Sequence, residues 1–238
     1  MDLCTYHSHC NFCDGKAPAE NFVKAAIEAG FHSYGISSHS PLPFETRWSL
    51  SKGNVEAYLT EIKRLQEKYA GQIELYVGME IDYLNDDWGP AVEYFQRMPL
   101  DYRIGSVHLV TEEQTGEIMD MDGKFEDFRE NLRLIFHDDL KYLVEAYFKA
   151  SSRMVELGGF DFVAHLDKIS MNGSLMDSTL TEQEWYNRLL WDYMSLIAKK
   201  GVMVEVNTKA YTKKGMMFPN VKYFKWLKEL NIPVMVNS

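Results

Sequence analysis

Residues 3–9 read LCTYHSH, a short apolar run that ends in two histidines separated by one residue. The same arrangement returns along the chain: YGISSH ends at His39, YRIGSVH at His108, FDFVAH at His165, and LYVGME ends at Glu80. Each run has the length and composition of a short buried strand. A neutral imidazole binds zinc, manganese or iron, and a carboxylate can bridge two ions. Together with His7 and His9, these groups at strand ends predict a polynuclear metal site and therefore an enzyme.

Strand-like runs alternate with amphipathic helical runs along the whole chain. The predicted strands cover 3–7, 33–37, 73–80, 102–108, 161–165, 202–206 and 232–236, and the predicted helices cover 18–29, 54–70, 88–97, 125–157, 181–200 and 219–230. Thr181 and Glu184 have the spacing of a capping box at one helix start. Strands joined by helices imply parallel pairing through right-handed crossovers. Metal-binding residue types at most strand ends favour an α/β barrel of seven strands over an open sheet, which would place its site at one switch point.

Composition argues against several classes of protein. The 238 residues carry a formal net charge of −10, which disfavours nonspecific nucleic-acid binding, and they contain no apolar run long enough for a membrane span. The first ten residues lack the features of a secretion signal, so we expect a cytoplasmic protein. The odd cysteine count argues against a disulfide framework. Cys10 and Cys13 form a C-x-x-C that is more simply two small residues in a turn than a redox pair or a soft metal site.

Other polar residues near the strand ends are candidates for holding a substrate or for supporting the ligands. Arg47 and Lys213 lie in loops that follow predicted strands, where a cation could hold a phosphate. Asn207 could hydrogen-bond a substrate or a metal-bound water, or it could start the next turn. Asp82 and Asp167 each lie two residues beyond a predicted ligand, where they could orient a ligand histidine or cap a helix.

The order of these motifs resembles the PHP (polymerase and histidinol phosphatase) family of metallo-phosphoesterases, and within it the histidinol-phosphate phosphatase branch. The resemblance is carried by HSPLP from His39, GMEIDY from Gly78, GSVH ending at His108, HLD from His165, and Asn207-Thr208. It implies one domain over residues 1–238 with a distorted (β/α)7 barrel. It also implies two or three divalent ions, zinc, manganese or iron, at the carboxyl ends of the strands.

A ligand set follows from the same resemblance. It assigns His7, His9 and Glu80 to a first metal, Glu80 with His108 and His165 to a second, and His39 with Asp14 to a third. The family ordinarily continues after its last strand with D-A-H, which supplies further ligands, whereas this sequence reads NIPVMVNS and stops. We therefore expect a barrel shortened after its last strand, a weak or empty third site, and reduced phosphatase activity.

The predicted activity is hydrolysis of a small phosphate monoester. The resemblance implies L-histidinol phosphate as the substrate, particularly through HSPLP and Asn207-Thr208. Clustered divalent ions lower the pKa of bound water and stabilise both the attacking and the leaving oxygen, so we expect a metal-bound hydroxide to attack phosphorus. Two alternatives remain open. One is a PHP-type nuclease or phosphodiesterase, which the acidic charge disfavours, and the other is a noncatalytic metal-binding domain.

Overall fold

Seven parallel strands form the central sheet of the computed structural model, which describes residues 3–238. The strands in that range are β1 (Leu3–Thr5), β2 (Phe31–Ile36), β3 (Glu74–Asp82), β4 (Tyr102–Ser106), β5 (Leu109–Thr111), β6 (Ile118–Asp120), β7 (Phe162–Val163), β8 (Met203–Asn207) and β9 (Val234–Asn237). β5 and β6 form a separate antiparallel hairpin, and the other seven pair in the order β1-β2-β3-β4-β7-β8-β9. Because the seven strands are parallel, their carboxyl ends meet at one rim.

The side chain of Asn237, at the end of β9, joins the two ends of this sheet. Its Oδ1 accepts hydrogen bonds from the backbone N–H of Tyr6 at 2.7 Å and from the Thr5 hydroxyl at 3.3 Å. β1 and β9 are consequently in contact. The sheet is a nearly closed barrel, and the distorted (β/α)7 barrel predicted from the sequence is confirmed.

Helices surround the barrel. Within residues 3–238 they are α1 (Ala19–Glu28), α2 (Val55–Lys68), α3 (Glu93–Gln96), α4 (Phe125–Ile135), α5 (Leu140–Leu157), α6 (Ser170–Met176), α7 (Glu184–Lys200), α8 (Tyr211–Lys214) and α9 (Phe224–Glu229). α2 buries Tyr58, Ile62 and Leu65. Among the described residues, no helix combines the length and the apolar character that crossing a membrane would require.

Some helix predictions are wrong in detail. The predicted helix 125–157 is divided into α4 and α5, because His137 and Asp138 adopt positive φ angles of 54° and 62° and end the first helix. The capping box is absent from the described chain, since Thr181 lies in a separate 3₁₀ turn and α7 begins at Glu184 without a side-chain cap. The β5–β6 hairpin, α6 and α8 are short elements that the sequence did not predict.

An aromatic side chain fills the barrel interior below the rim. Tyr102 packs where Gly35 and Gly78 leave space, since a Cβ at either glycine would lie 2.2 Å from an atom of this tyrosine. Its hydroxyl donates to the backbone carbonyl of Tyr6 at 2.6 Å. Tyr6 directly precedes His7, so this packing supports the first strand where it reaches the rim.

Candidate metal centre

Glu80 lies at the centre of five histidines. It is fully buried on β3. Oε2 of Glu80 lies 3.1 Å from His7 Nε2, 3.4 Å from His9 Nε2 and 3.0 Å from His39 Nδ1, and Oε1 lies 2.8 Å from His165 Nε2 and 3.7 Å from His108 Nε2. The structure therefore brings together the six groups that the strand-end pattern singled out. Their service as metal ligands stays a prediction.

These groups lie at one rim of the barrel because the strands that carry them are parallel. His39 lies beyond β2, where the chain continues beside β3: Ser40 donates its N–H to the Glu80 carbonyl at 2.7 Å, and Glu80 donates to the Ser38 carbonyl at 3.1 Å. His108 follows β4, and His165 follows β7 with a φ of 20° that ends the extended strand. Side chains from strands far apart in sequence consequently meet within 3.7 Å of one carboxylate.

Two of the histidines form hydrogen bonds to buried carboxylates through Nδ1, the ring nitrogen that does not face Glu80. His7 donates from Nδ1 to Glu205 Oε1 at 2.7 Å, and His108 donates from Nδ1 to Asp82 Oδ1 at 2.7 Å. Both carboxylates are fully buried. When such a ring is neutral, its proton stays on Nδ1 and the Nε2 lone pair faces the centre, which is the arrangement that metal-ligating histidines adopt. Asp82 thus lies where the sequence predicted an orienting carboxylate.

Glu205 was not among the predicted site residues. It lies on β8 two residues before Asn207, and its Oε2 accepts from the Asn207 side-chain amide at 3.1 Å. Residues two apart on a strand point to the same face of the sheet. The E-x-N spacing at the end of a predicted strand is therefore the signal that could have identified Glu205.

The site residues stabilise one another's charges. Burial lowers the pKa of His7, but the carboxylates of Glu205 and Glu80 outweigh burial and raise it to about 10. Burial also lowers the pKa of His108, but the carboxylates of Asp82 and Glu80 outweigh burial and raise it to about 9. At His165 burial dominates and lowers the pKa to about 4. Burial would raise the pKa of Glu80, but the surrounding histidines hold it well below its usual range, so this carboxylate is ionised at neutral pH.

The residues present fit divalent ions. Glu80 Oε2 and His39 Nδ1 are buried, lie 3.0 Å apart, and have no hydrogen-bond partner among the described residues. Two such acceptors side by side suit a shared cation. Three groups have ligand atoms that all lie within 4.8 Å of one another: His7, His9 and Glu80; His9, Asp14 and His39; and His39, Glu80 and His108. Imidazole with carboxylate is a donor set typical of zinc, manganese and iron.

Asp14 and the cysteines lie at the edge of the centre. Asp14 is exposed, and its Oδ1 lies 3.4 Å from His9 Nδ1 and 3.9 Å from His39 Nε2. The Cys13 N–H donates to the Cys10 carbonyl at 3.0 Å, which is the turn that the sequence predicted. Cys13 Sγ also lies 3.4 Å from His9 Nδ1, a contact that the sequence did not predict.

A cavity of about 330 Å³ opens over the centre. Its walls include the predicted Asn207 and Lys213, together with three charged residues that sequence reasoning missed, namely Asp122, Lys168 and Lys209. Lys168 lies 3.1 Å from Asp122 Oδ2. The rim therefore carries cations from two loops, one after β7 and one after β8.

Two predicted positions lie elsewhere. Arg47 is exposed and is absent from the described lining of the cavity, because its loop directs Trp48 inward, with Nε1 donating to Asp120 Oδ2 at 3.0 Å. Asp167 is fully buried, but the one hydrogen bond that its side chain makes within residues 3–238 comes from the Asn220 N–H at 3.2 Å. Among residues 3–238, Arg47 therefore does not line the cavity, and Asp167 makes no hydrogen bond to a ligand histidine, unlike the predicted placements.

Comparison with known proteins gives a consistent set of relatives. Residues 5–209 match the PHP domain. A protein of Deinococcus radiodurans named probable histidinol-phosphatase is 23% identical over 245 residues, covering 99% of this chain and 85% of its own length. The histidinol-phosphatase of Bacillus subtilis is 23% identical over 257 residues, covering 98% of this chain and 91% of its own.

Among solved structures, HisK from Listeria monocytogenes, assigned as a histidinol phosphatase, superposes with a TM-score of 0.82 at 22% identity, covering 99% of this chain and 94% of that one. Histidinol phosphate phosphatase from Lactococcus lactis, complexed with zinc, L-histidinol and phosphate, superposes with a TM-score of 0.72 at 20% identity, covering 99% and 84%. At these identities the structural likeness shows a shared fold.

Proposed function

The chain belongs to the PHP domain family, and from that premise we propose that it hydrolyses L-histidinol phosphate to L-histidinol and phosphate with the help of divalent ions. The observation that carries the proposal is the division of histidines between the two oxygens of Glu80. His7, His9 and His39 face Oε2, whereas His108 and His165 face Oε1. A carboxylate with separate imidazole sets on its two oxygens is suited to bridge two ions.

We assign the ligands as follows. One ion would be held by His7, His9 and Oε2 of Glu80, a second by Oε1 of Glu80 with His108 and His165, and a third by His39 with Asp14. The zinc in the complex of the Lactococcus lactis relative supports zinc as the metal. When bound, such ions bind phosphate oxygens and lower the pKa of water to near neutrality.

The residues of the cavity would bind the phosphate and exclude alternative substrates. Lys168, Lys209 and Lys213 line the opening, where their ammonium groups can neutralise a phosphate monoester dianion. The cavity of about 330 Å³ lies at the small end of the range for ligand pockets, which suits a small monoester better than a polymer. The net charge of −10 also disfavours a nucleic-acid substrate.

A phosphatase assay tests this proposal. The metal-depleted protein is supplied with zinc, manganese or iron(II), and phosphate release from L-histidinol phosphate is followed beside a phosphodiester and single-stranded DNA. We expect metal-dependent release from the monoester, and its loss in Glu80→Gln. The matched control is Glu112→Gln, which changes another buried carboxylate, in the turn between β5 and β6, whose side-chain partners are Gln114, Thr115 and Tyr142 and not the ligands. Faster cleavage of the diester or the DNA would replace this function by a nuclease, and no turnover with any metal would reject it.

A further inference from the structure

We infer that Glu205 is a positioning residue that aligns the two halves of the candidate metal centre by holding the His7 side chain and the His165 backbone together. The inference deepens the proposed function and rests on its assignment of His7 and His165 to different ions. Nothing in the family match or the relatives' names assigns a role to Glu205.

The carboxylate of Glu205 accepts four hydrogen bonds. Oε1 accepts from His7 Nδ1 at 2.7 Å and from Asn237 Nδ2 at 3.0 Å, while Oε2 accepts from the His165 backbone N–H at 3.0 Å and from Asn207 Nδ2 at 3.1 Å. Glu205 has no exposed surface, so water does not substitute for these partners. Every partner is a donor, and an amide at this position would turn its own N–H groups toward at least one of them.

The four donors come from parts of the barrel that are distant in sequence. His7 follows β1, His165 follows β7, and Asn207 and Asn237 end β8 and β9. Asn237 also accepts from the backbone N–H of Tyr6, at the seam where the first and last strands meet. One carboxylate therefore links the seam of the barrel to a histidine on each side of Glu80.

Glu205 affects the metal centre by orienting the ring of His7. Its Nδ1 bond to Glu205 fixes the ring so that Nε2 lies 3.1 Å from Glu80 Oε2. Without that acceptor the ring is free to rotate about its last side-chain torsion or to move its proton to Nε2, and in either case it no longer presents a lone pair to an ion. Loss of such an outer partner typically weakens metal binding about 10–100-fold.

Zinc affinity, measured by competition with a chelator, tests the inference independently of turnover. We expect Glu205→Gln to bind zinc about 10–100-fold more weakly, whereas Glu112→Gln, which also removes a buried carboxylate, keeps the parent affinity. Saturating zinc should restore much of kcat in Glu205→Gln without changing KM for the phosphate monoester. Glu205→Asp keeps the charge and should restore part of the affinity, and it serves as the test variant if the glutamine variant does not fold.

A double-mutant cycle separates positioning from a merely structural role. If Glu205 acts through His7, the affinity lost in Glu205→Gln should largely disappear when the substitution is made in a His7→Asn background. Zinc affinity within twofold of the parent in both Glu205 variants, or full additivity with His7→Asn, would overturn the inference. A parent chain that binds zinc but fails to hydrolyse histidinol phosphate would reject the proposed function and leave this test valid.

Discussion

Replacing Glu80 by glutamine should disable both halves of the metal centre at once. The substitution keeps the size of the side chain and removes the one negative charge within residues 3–238 that all five site histidines approach within 3.7 Å. An amide also offers one acceptor oxygen where the carboxylate offers two. Because each Glu80 oxygen faces its own histidines, neither ion would keep its original ligand set.

The size of the effect follows from these contacts. An outer partner of a metal ligand is typically worth about 10–100-fold in metal affinity, and a charged group that contacts the ions directly should exceed that range. We therefore expect zinc to bind about 100-fold more weakly or worse, which is about 2.8 kcal/mol at roughly 1.4 kcal/mol per tenfold. Phosphatase activity at subsaturating zinc should fall by at least the same factor.

Zinc titration by chelator competition, with phosphate release measured on the same samples, provides the assay. Glu112→Gln controls for the loss of a buried carboxylate, and thermal unfolding of the metal-free proteins shows that each variant is folded. A Glu80→Gln protein that keeps parent zinc affinity and turnover would refute the argument that this carboxylate bridges two ions.

Further predictions concern the cavity, the outer partners and the hairpin. Lys213→Ala should raise KM for L-histidinol phosphate about tenfold in steady-state kinetics, since a hydrogen bond to a charged group contributes roughly 1.5–3 kcal/mol. Arg47→Ala should leave KM within twofold of the parent value. A larger increase in KM for Arg47→Ala than for Lys213→Ala would contradict the cavity assignment. Asp82→Asn should weaken zinc binding about 10–100-fold through His108, and an unchanged chelator titration would exclude that role. The Tyr142 hydroxyl and the backbone and hydroxyl of Thr115 lower the folded-state pKa of Glu112 from 4.5 to about 2. The ionised Glu112 therefore stabilises the fold fully above pH 4.5, and this contribution disappears as pH falls through 2. Glu112→Gln should consequently lower Tm by more at pH 7 than at pH 2.5. A constant difference in Tm would reject the assignment.

Strand-end chemistry could be predicted because a short parallel strand has a simple geometry. A buried apolar run that ends in histidine or glutamate places that group at the carboxyl rim whatever the neighbouring loops do. Glu80, His108 and His165 are all found there, and each of the two histidines lies within 3.7 Å of a Glu80 oxygen. The parallel pairing of the strands also followed, since helical crossovers leave few alternatives.

Asp82 and Asp167 show where such reasoning fails. Each lies two residues beyond a predicted ligand, but Asp82 is still on the extended strand β3, where a spacing of two returns the side chain to the same face. The chain turns at His165 instead, and Lys168 donates its N–H back to the His165 carbonyl at 2.9 Å. Asp167 consequently points toward Asn220. The difference depends on where the strand ends, which the residue pattern does not encode.

Loop residues were the other source of error. Arg47 and Trp48 are adjacent, and only the fold of their loop decides that the indole contacts His39, with ring centroids 4.9 Å apart, while the guanidinium stays exposed. Lys168 and Lys209 reach the cavity for the same reason, from turns that the sequence pattern did not resolve. Most site residues at strand ends were therefore predictable, with Glu205 on β8 as an exception, whereas most of those on connecting loops required the structure.

The positions of bound metal test the central claim most directly. Anomalous diffraction from crystals of the zinc-loaded protein locates each ion without reference to activity. The account predicts two ions on opposite oxygens of Glu80, about 3.5–4 Å apart, one contacting His7 and His9 and the other contacting His108 and His165. A single ion at Glu80, or no zinc bound to its carboxylate, would contradict it.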